Sequence, residues 1–348
     1  MKILVFEYIT GGGFNKQELP IALASEGLLM LQALLDNLYA YPITPGNLSL
    51  SVRVMVDERL KERINLYDFE VLMITAAYDT DAEFKHAVNA ADAVWPIAPE
   101  FEGILQRLCG WVEQAHKVLL TSSSMGVVVA GDKYKSYQRF KQYQIPTVPT
   151  LLLKTTDPWH DADCLQLIPE GSPVEWMIKP VDGVGCIDSY LLTQSGAFKS
   201  LSIKIDHTII QPHLYGKKTS LSCLFKAGRA WLLSVNEQHF ELIDQQYHLT
   251  AITVNQSVDH TPYQALVDAV ARAFTELWGY VGLDLIETPE ALSVLEINPR
   301  LTSSFVGLKA ACGLNVAALV LQLLTGDPVL TGTDQHALRI KVSHDAAE

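Results

Sequence analysis

The stretch that decides the reading runs from Ser293 to Phe305, SVLEINPRLTSSF. Its first half has the texture of a buried strand, and a strand puts residues two apart on one face, so Glu296 and Asn298 point together. Upstream, VGLDLIETPEALSVLEIN folds back on itself through the breaker segment ETPEA. Opposing Asp284 to Glu296 centres the turn on Glu290. That register puts Asp284, Glu296 and Asn298 on one face and Leu283, Leu285, Leu295 and Ile297 on the other, against a core. Like charges opposed across a ladder destabilise it unless something positive sits between them. Two carboxylates and an amide are hard oxygen ligands suited to Mg²⁺ or Mn²⁺, with positions left for water and phosphate oxygens. A solvated strand face with ordinary acidic residues is the plainer reading of the same positions.

A second set of residues lies upstream. Lys179 ends a strand in WMIKP, and the DGVGC turn that follows carries Gly183 and Gly185, which allow N–H groups to approach phosphate oxygens closely. Lys133 stands near the start of the helix DKYKSYQRF, where anions are already favoured; Lys135 faces differently. Singly these are ordinary: a lone lysine is usually a solvated charge and GVG a turn. Neither GGGFNK at Gly11 nor GVGCID at Gly183 completes a P-loop or dinucleotide fingerprint. Their order along the chain is the signal: a DK helix start, KP with a glycine loop, a strand ending QPHLYG, an Asp, then ExN.

The bulk properties limit the options. A chain of 348 residues, 49% apolar, holds two or three domains. Its 39 acidic and 26 basic side chains give a formal charge of −13, which argues against nucleic acid or anionic lipid as the main partner. The cysteines Cys109, Cys164, Cys186, Cys223 and Cys312 are scattered and odd in number, and fit reduced thiols in a cytoplasmic protein. MKILVFEYIT is a first strand, broken by Glu7, and not a signal peptide. NVAALVLQLL is too short to cross a bilayer, which takes ~20 residues, so no membrane partner is expected.

Residues 1–120 alternate strand-like runs (KILVFEY, VRVMV, FEVLMIT, AVWPI, KVLLT) with helical patterns, which predicts a parallel α/β domain. The helix at Asp132 stops at IPTVPT, whose prolines impose extended backbone. From Leu151 short strands are punctuated by Gly and Pro, and FKAGRAW reads as a hairpin at Gly228, so antiparallel strands should dominate. Two helices close the pattern, PYQALVDAVARAFTELWG and FVGLKAACGLNVAALVLQLLTG, flanking the acidic hairpin.

With these motifs assembled (DKYKSYQ, MIKPVDGVG, IIQPHLYGKKTSLS, VGLDLIE, LEINPR), the chain resembles the ATP-grasp superfamily from about Ser122 to Gly326. The resemblance implies an ATP-grasp fold behind an α/β pre-ATP-grasp domain: residues 1–120, a central lobe over 121–212 and a C-terminal lobe with the metal-binding hairpin over 213–348. It also implies that Lys133, Lys179 and the Gly183–Gly185 loop meet ATP phosphates, and that Gln211, His213 and Leu214 form the hinge beside adenine, backbone groups of the last two reading the base edge. Asp284, Glu296 and Asn298 would hold metal, and Arg300 would steady the transferred phosphoryl group. One position departs from the pattern: many relatives place a ribose-binding Glu after the hinge, where this chain reads GKKTS with Lys218.

A narrower likeness, carried by FEYITGGG, SEGLLMLQALL, VWPIAPEFEGIL, LTSSS and DKYKSY, is to the tyramine-glutamate ligases of methanofuran biosynthesis. It implies an ADP-forming ligase that activates the glutamate γ-carboxylate as an acyl phosphate for attack by tyramine or a related aromatic amine, and leaves room for a homodimer. The alternatives are a dipeptide ligase of the D-alanine type and an ATP-binding protein without turnover. No Ser-His-Asp or Cys-His set suggests a protein nucleophile; His160, Asp161 and Asp163 read as a polar loop capping a helix. For the substrates, YITGGGF lies where α/β sheets bind ligands. Glu7 or Glu26 would meet an ammonium, Tyr8 or Phe14 an aromatic ring, and Glu100 would cap or pair with Arg107. Thr302, Ser303 and Ser304 would offer helix N-terminal amides to a carboxylate, or cap the helix.

Overall fold

The structure, a computed structural model, describes residues 1–42, 49–153, 175–183, 185, 187–193, 207–257, 259–332 and 335–342. The N-terminal strands β1 (Lys2–Glu7), β2 (Ser51–Asp57), β3 (Glu70–Ile74), β4 (Ala93–Ile97) and β5 (Val118–Leu119) form a parallel sheet in the order β3-β2-β1-β4-β5. Their near-continuous apolar runs suit a sheet covered on both faces. Ile3, Val5, Val54 and Trp95 pack towards α1 (Ile21–Tyr39), while Leu4, Phe6 and Met55 pack towards α2 (Thr80–Asn89) and α3 (Ile104–Gln114). The strand order reverses between β1 and β4, so the loops leaving those two strands open a crevice at their carboxyl ends. The glycines of Thr10–Gly13 let the chain turn tightly there: a Cβ on Gly11 would strike the Phe6 ring and one on Gly13 the Tyr8 ring.

After α4 (Ser124–Ala130) and α5 (Lys133–Gln142) the chain becomes antiparallel. The strands are β6 (Leu151–Leu152), β7 (Trp176–Pro180), β8 (Tyr190–Leu192), β9 (Thr208–Pro212), β10 (Lys217–Lys226), β11 (Arg229–Ile243), β12 (Gln246–Ser257), β13 (Gly279–Glu287), β14 (Leu292–Asn298) and β15 (Leu338–Lys341). They run in the order β14-β13-β10-β11-β12-β8-β7-β9-β6, with β15 on β12. A large leaf (β10–β15) and a small leaf (β6–β9) meet at one ladder pair, Gln246 with Tyr190, beside a hydrogen bond from Leu191 N–H to Gln245 O of 2.7 Å. The hairpin read from FKAGRAW is present: Ala227 and Gly228 both take left-handed φ, 49° and 76°, as a two-residue β-turn between right-twisted strands requires.

Two expectations are corrected. FVGLKAACGLNVAALVLQLLTG is not one helix but α7 (Phe305–Cys312) and α8 (Val316–Leu323), set at 104°; the helix between the acidic hairpin and β12 is α6 (Thr261–Ala273). Gly313, at φ 67°, ends α7, and Asn315 caps α8 by accepting the Ala318 N–H at 3.0 Å. The Asp284–Glu296 register holds, with Gly282 opposite Asn298, but a bulge follows it, so Leu285 faces Val294. The extra residue is Leu295. Val294 takes the buried place, and Leu295 turns to the cleft side.

By length and composition α1 could cross a membrane, but more than half of it is buried, and it packs on α7 and α8. That packing joins the parallel sheet and the large leaf in one core, through Leu31, Leu34, Leu308 and Val320. A second core fills the space between the large leaf, α5 and α6. Cys109, Cys223 and Cys312 are buried thiols; Cys164 and Cys186 lie outside the described residues.

Gly12 sits at φ +100°, and a Cβ there would lie 2.4 Å from Ile74 Cγ2. Gly12→Ala should destabilise the fold by about 1–3 kcal/mol through backbone strain, read from the urea midpoint at unchanged slope.

Candidate active site

Most of the residues singled out from the sequence come together on one cleft: Lys133, Lys179, Gly183, Gly185, Gln211, His213, Leu214, Asp284, Glu296, Asn298, Arg300, Glu26 and Ser303, with Lys218, Thr302 and Ser304. Glu7 lines a smaller neighbouring cavity instead. Tyr8 lines neither. It leaves β1 on the opposite side, edge-on to Phe14 at 6.0 Å between centroids, so Tyr8 and Phe14 pack on each other and line neither cavity. Strand alternation separates Tyr8 from its neighbour Glu7. His160, Asp161 and Asp163 lie outside the described residues.

The acidic hairpin forms one wall. Asp284 accepts from Gln238 Nε2 at 3.1 Å and from Asn298 Nδ2 at 3.0 Å. Across the ladder, Glu296 Oε2 lies 2.9 Å from Lys133 Nζ, whose ammonium also donates to Gly183 O at 2.7 Å. Lys133 reaches both because Asp132 caps α5, accepting the Tyr134 and Lys135 N–H groups, while Lys133 N–H is tied to Val181 O at 2.8 Å. Lys135 turns away to Asp132. Burial would push Glu296 up, but Lys133 and then Lys179 outweigh it and bring the carboxyl down to about 2. Burial and the facing charge of Glu296 push Asp284 well above the usual carboxylate range. Among the described residues no trio of His, Cys, Asp and Glu comes together, so the candidate cation site is two carboxylates and one amide. Mutual repulsion between the acids and their hard oxygens fit a divalent metal.

Arg300 follows on the same wall. Its Nε and one terminal nitrogen hold Glu100 at 2.9 and 3.0 Å in a two-pronged pair, and its other nitrogen donates to Leu301 O at 3.0 Å. Glu100 thus pairs with Arg300 and not with Arg107, which faces Asp81 at 3.8 Å. The side chains are 11% and 5% exposed, so the pair is held out of water. Ser303 Oγ donates to Glu26. The expected capping by Ser304 does not occur: its hydroxyl joins Ser222 and Thr302, and Tyr280 OH bonds Ser222 and Thr302, in a buried network under the cleft floor. The N–H groups of Phe305, Val306 and Gly307 are bonded to the carbonyls three residues earlier, so the first turn of α7 does not offer these amides.

The far end of the cleft is formed by β9 and the residues after it. Gln211 Nε2 donates to Thr150 Oγ1 at 2.7 Å. His213 N–H donates to Glu175 O at 2.9 Å, so that amide is already engaged. The His213 ring lies between Glu175 and Tyr247, each at 3.0 Å, and burial lowers its pKa despite Glu175. Lys218 stands over the Tyr247 ring at 3.6 Å and also lines the cleft. Val148, Met177, Ile286 and Leu295 give this end an apolar lining. Sequence reasoning missed Gln238, Tyr247 and the Glu100–Arg300 pair, since the partners are 46, 34 and 200 positions apart and no local pattern joins them.

This geometry and the known proteins agree. The ATP-grasp domain pattern matches residues 130–304, half of the chain, and a pre-ATP-grasp domain pattern matches residues 50–127, so the chain belongs to the ATP-grasp family. It is an ADP-forming carbon–nitrogen ligase of that family, with an ATP-grasp fold behind a pre-ATP-grasp domain. Its relatives include the tyramine–L-glutamate ligases of Methanocaldococcus fervens, 26% identical over 88% of this chain and 89% of the relative, and of Methanocaldococcus jannaschii, 23% identical over 88% and 84%. Among solved structures, an Archaeoglobus fulgidus protein assigned to the ATP-grasp superfamily superposes with a TM-score of 0.69 at 22% identity, covering 98% of this chain and 92% of that one. An L-amino acid ligase from Bacillus licheniformis gives 0.62 at 15% identity, over 96% and 75%.

Two outcomes are expected. Glu100→Ala leaves Arg300 a buried unpaired charge and should cost about 3–5 kcal/mol in urea unfolding. Glu7, 2% exposed, has its carboxyl pushed by burial up to about 7, against hydrogen bonds from the Thr10 hydroxyl, Thr10 N–H and Ile9 N–H. Between pH ~4.5 and 7 the folded state therefore binds more protons than the unfolded one, and stability falls as pH rises. Glu7→Gln should remove that slope, so that the variant gains about 3 kcal/mol on the wild type across this window in unfolding titrations.

Proposed function

We propose that this protein joins the γ-carboxylate of glutamate to tyramine or a related aromatic amine, through an acyl phosphate formed at the expense of ATP, as in methanofuran-type cofactor biosynthesis. One observation carries the catalytic half of the reading: Asp284 and Glu296 are opposed on one strand face, with Lys133, Lys179 and Arg300 on the same cleft. The naming of both relatives supports the choice of substrates.

In this reading adenine lies against β9 and the apolar end, beside the carbonyls near His213 and the Leu214 N–H. Lys133, Lys179 and the Gly183–Gly185 turn hold the phosphates. Asp284, Glu296 and Asn298 hold Mg²⁺ or Mn²⁺, which when bound offsets charge on the phosphates. The central difficulty is bringing a carboxylate against a triphosphate. The two lysines and Arg300 lower that repulsion and stabilise charge on the in-line transition state, so positioning and electrostatics supply most of the rate and no protein nucleophile is needed. Glu100 fixes the plane of the Arg300 guanidinium, so the fork is oriented before substrate arrives.

Glu296→Ala removes a ligand and also relieves a carboxylate repulsion. ATP turnover should fall on the order of 1000-fold while the unfolding midpoint changes little. Parallel loss of fold and activity would return Glu296 to a structural role. The substrates are tested by ADP release with glutamate and tyramine, set against pairs of amino acids; turnover with amino-acid pairs alone would instead indicate a dipeptide ligase.

A further inference from the structure

Beside the Arg300 end of the cleft lies a second, smaller and narrow hollow, open to solvent. It sits at the crevice where the order of the parallel sheet reverses, between the loops leaving β1 and β4. Leu23 and Met30 of α1 and Ile97 and Pro99 at the end of β4 make its walls, and two carboxyl groups, Glu7 and Glu26, face it. Three residues, Glu26, Gly185 and Arg300, border both cavities, so the smaller one opens on the larger at the point where the phosphoryl clamp and the glycine turn meet.

We infer that this cavity is the slot for the amine and that Glu26 is the base that takes a proton from it, with a primary amine lacking a carboxylate as the acceptor class. The inference rests on the ligase reading above. An attacking amine needs an anion to hold its ammonium, a proton acceptor and a sleeve for its organic arm, all next to the acyl phosphate. Of the two acids, Glu7 is already saturated by its own turn, accepting from Ile9 N–H at 3.3 Å, Thr10 N–H at 2.7 Å and the Thr10 hydroxyl at 2.6 Å. Glu26 has one oxygen fixed by Ser303, and its Oε2 points to the glycine turn, 3.9 Å from where a Cβ on Gly185 would stand. Ser303 thus orients the base. An amino acid would bring its own carboxylate against the Glu26 carboxylate; a carboxylate-free amine avoids that repulsion.

The step balances. The ammonium gives one proton to the Glu26 carboxylate, and the nitrogen lone pair forms the C–N bond at the acyl carbon. The C–O bond to phosphate breaks, and the departing phosphate takes the second amine proton and leaves as hydrogen phosphate. Glu26 then returns its proton to solvent.

The test compares tyramine with hydroxylamine, which is unprotonated at neutral pH and small, using the full chain with ATP, Mg²⁺ and glutamate. Glu26→Gln is expected to reduce amide formation at least 100-fold more than hydroxamate formation, within the range of general-base contributions. Leu23→Trp, which narrows the slot without touching an ionisable group, is expected to penalise tyramine at least tenfold more than methylamine in kcat/KM, and wild type to prefer tyramine to tyrosine by a similar margin. Equal losses for both nucleophiles in Glu26→Gln, or indifference of Leu23→Trp to amine size together with equal use of tyrosine, would overturn the inference while leaving the ligase intact. Should Glu26→Gln fail to fold, the Leu23→Trp comparison decides. If wild type forms no hydroxamate with any carboxylate and ATP, the ligase reading falls, and this inference with it.

Discussion

The structure turns on the opposition of Asp284 and Glu296 across one ladder. Two acids facing each other on a partly buried strand surface would weaken the hairpin, and the protein keeps them by bringing Lys133 to Glu296 and amide donors to Asp284. Lys133 does this from the first turn of α5 while also holding Gly183, so one ammonium couples the acidic wall to the glycine turn. The proton distribution follows: Glu296 stays ionised beside the two lysines, and Asp284 holds its proton more tightly.

The second long-range constraint is the fork between Arg300 and Glu100, which locks the end of β14 to the end of β4. It brings the parallel sheet up to the reacting end of the cleft. The crevice at the strand reversal and the Arg300 end of the cleft become two sides of one boundary. The apolar seam of α1 with α7 and α8 fixes that boundary from behind.

Much of this was legible along the chain, because the informative features are local. Alternation placed Asp284, Glu296 and Asn298 on one face, prolines bounded the strands, and Asp132 marked a helix start. The bulge at Leu295 was not legible, since an extra residue in a strand leaves no mark in an apolar run. Nor was the break at Gly313, which stands in an otherwise continuous helical pattern. Pairings set by tertiary packing were out of reach altogether: Glu100 has Arg107 as its nearest basic neighbour in sequence, yet the fold gives it Arg300. His213 lies just after β9, as the sequence suggests, but only the neighbouring Glu175 carbonyl decides that its amide is engaged.

Among the described residues the two antiparallel leaves meet at one ladder pair, Gln246 with Tyr190. Lys179 belongs to the small leaf and the Asp284–Glu296 wall to the large one, and Lys133 bonds both sides, to Glu296 and to Gly183. Outside that ladder pair the two sides are tied by a few side chains, Lys133 between Glu296 and Gly183 and His213 to Tyr247, so any shift of one leaf against the other is felt first at these few bonds.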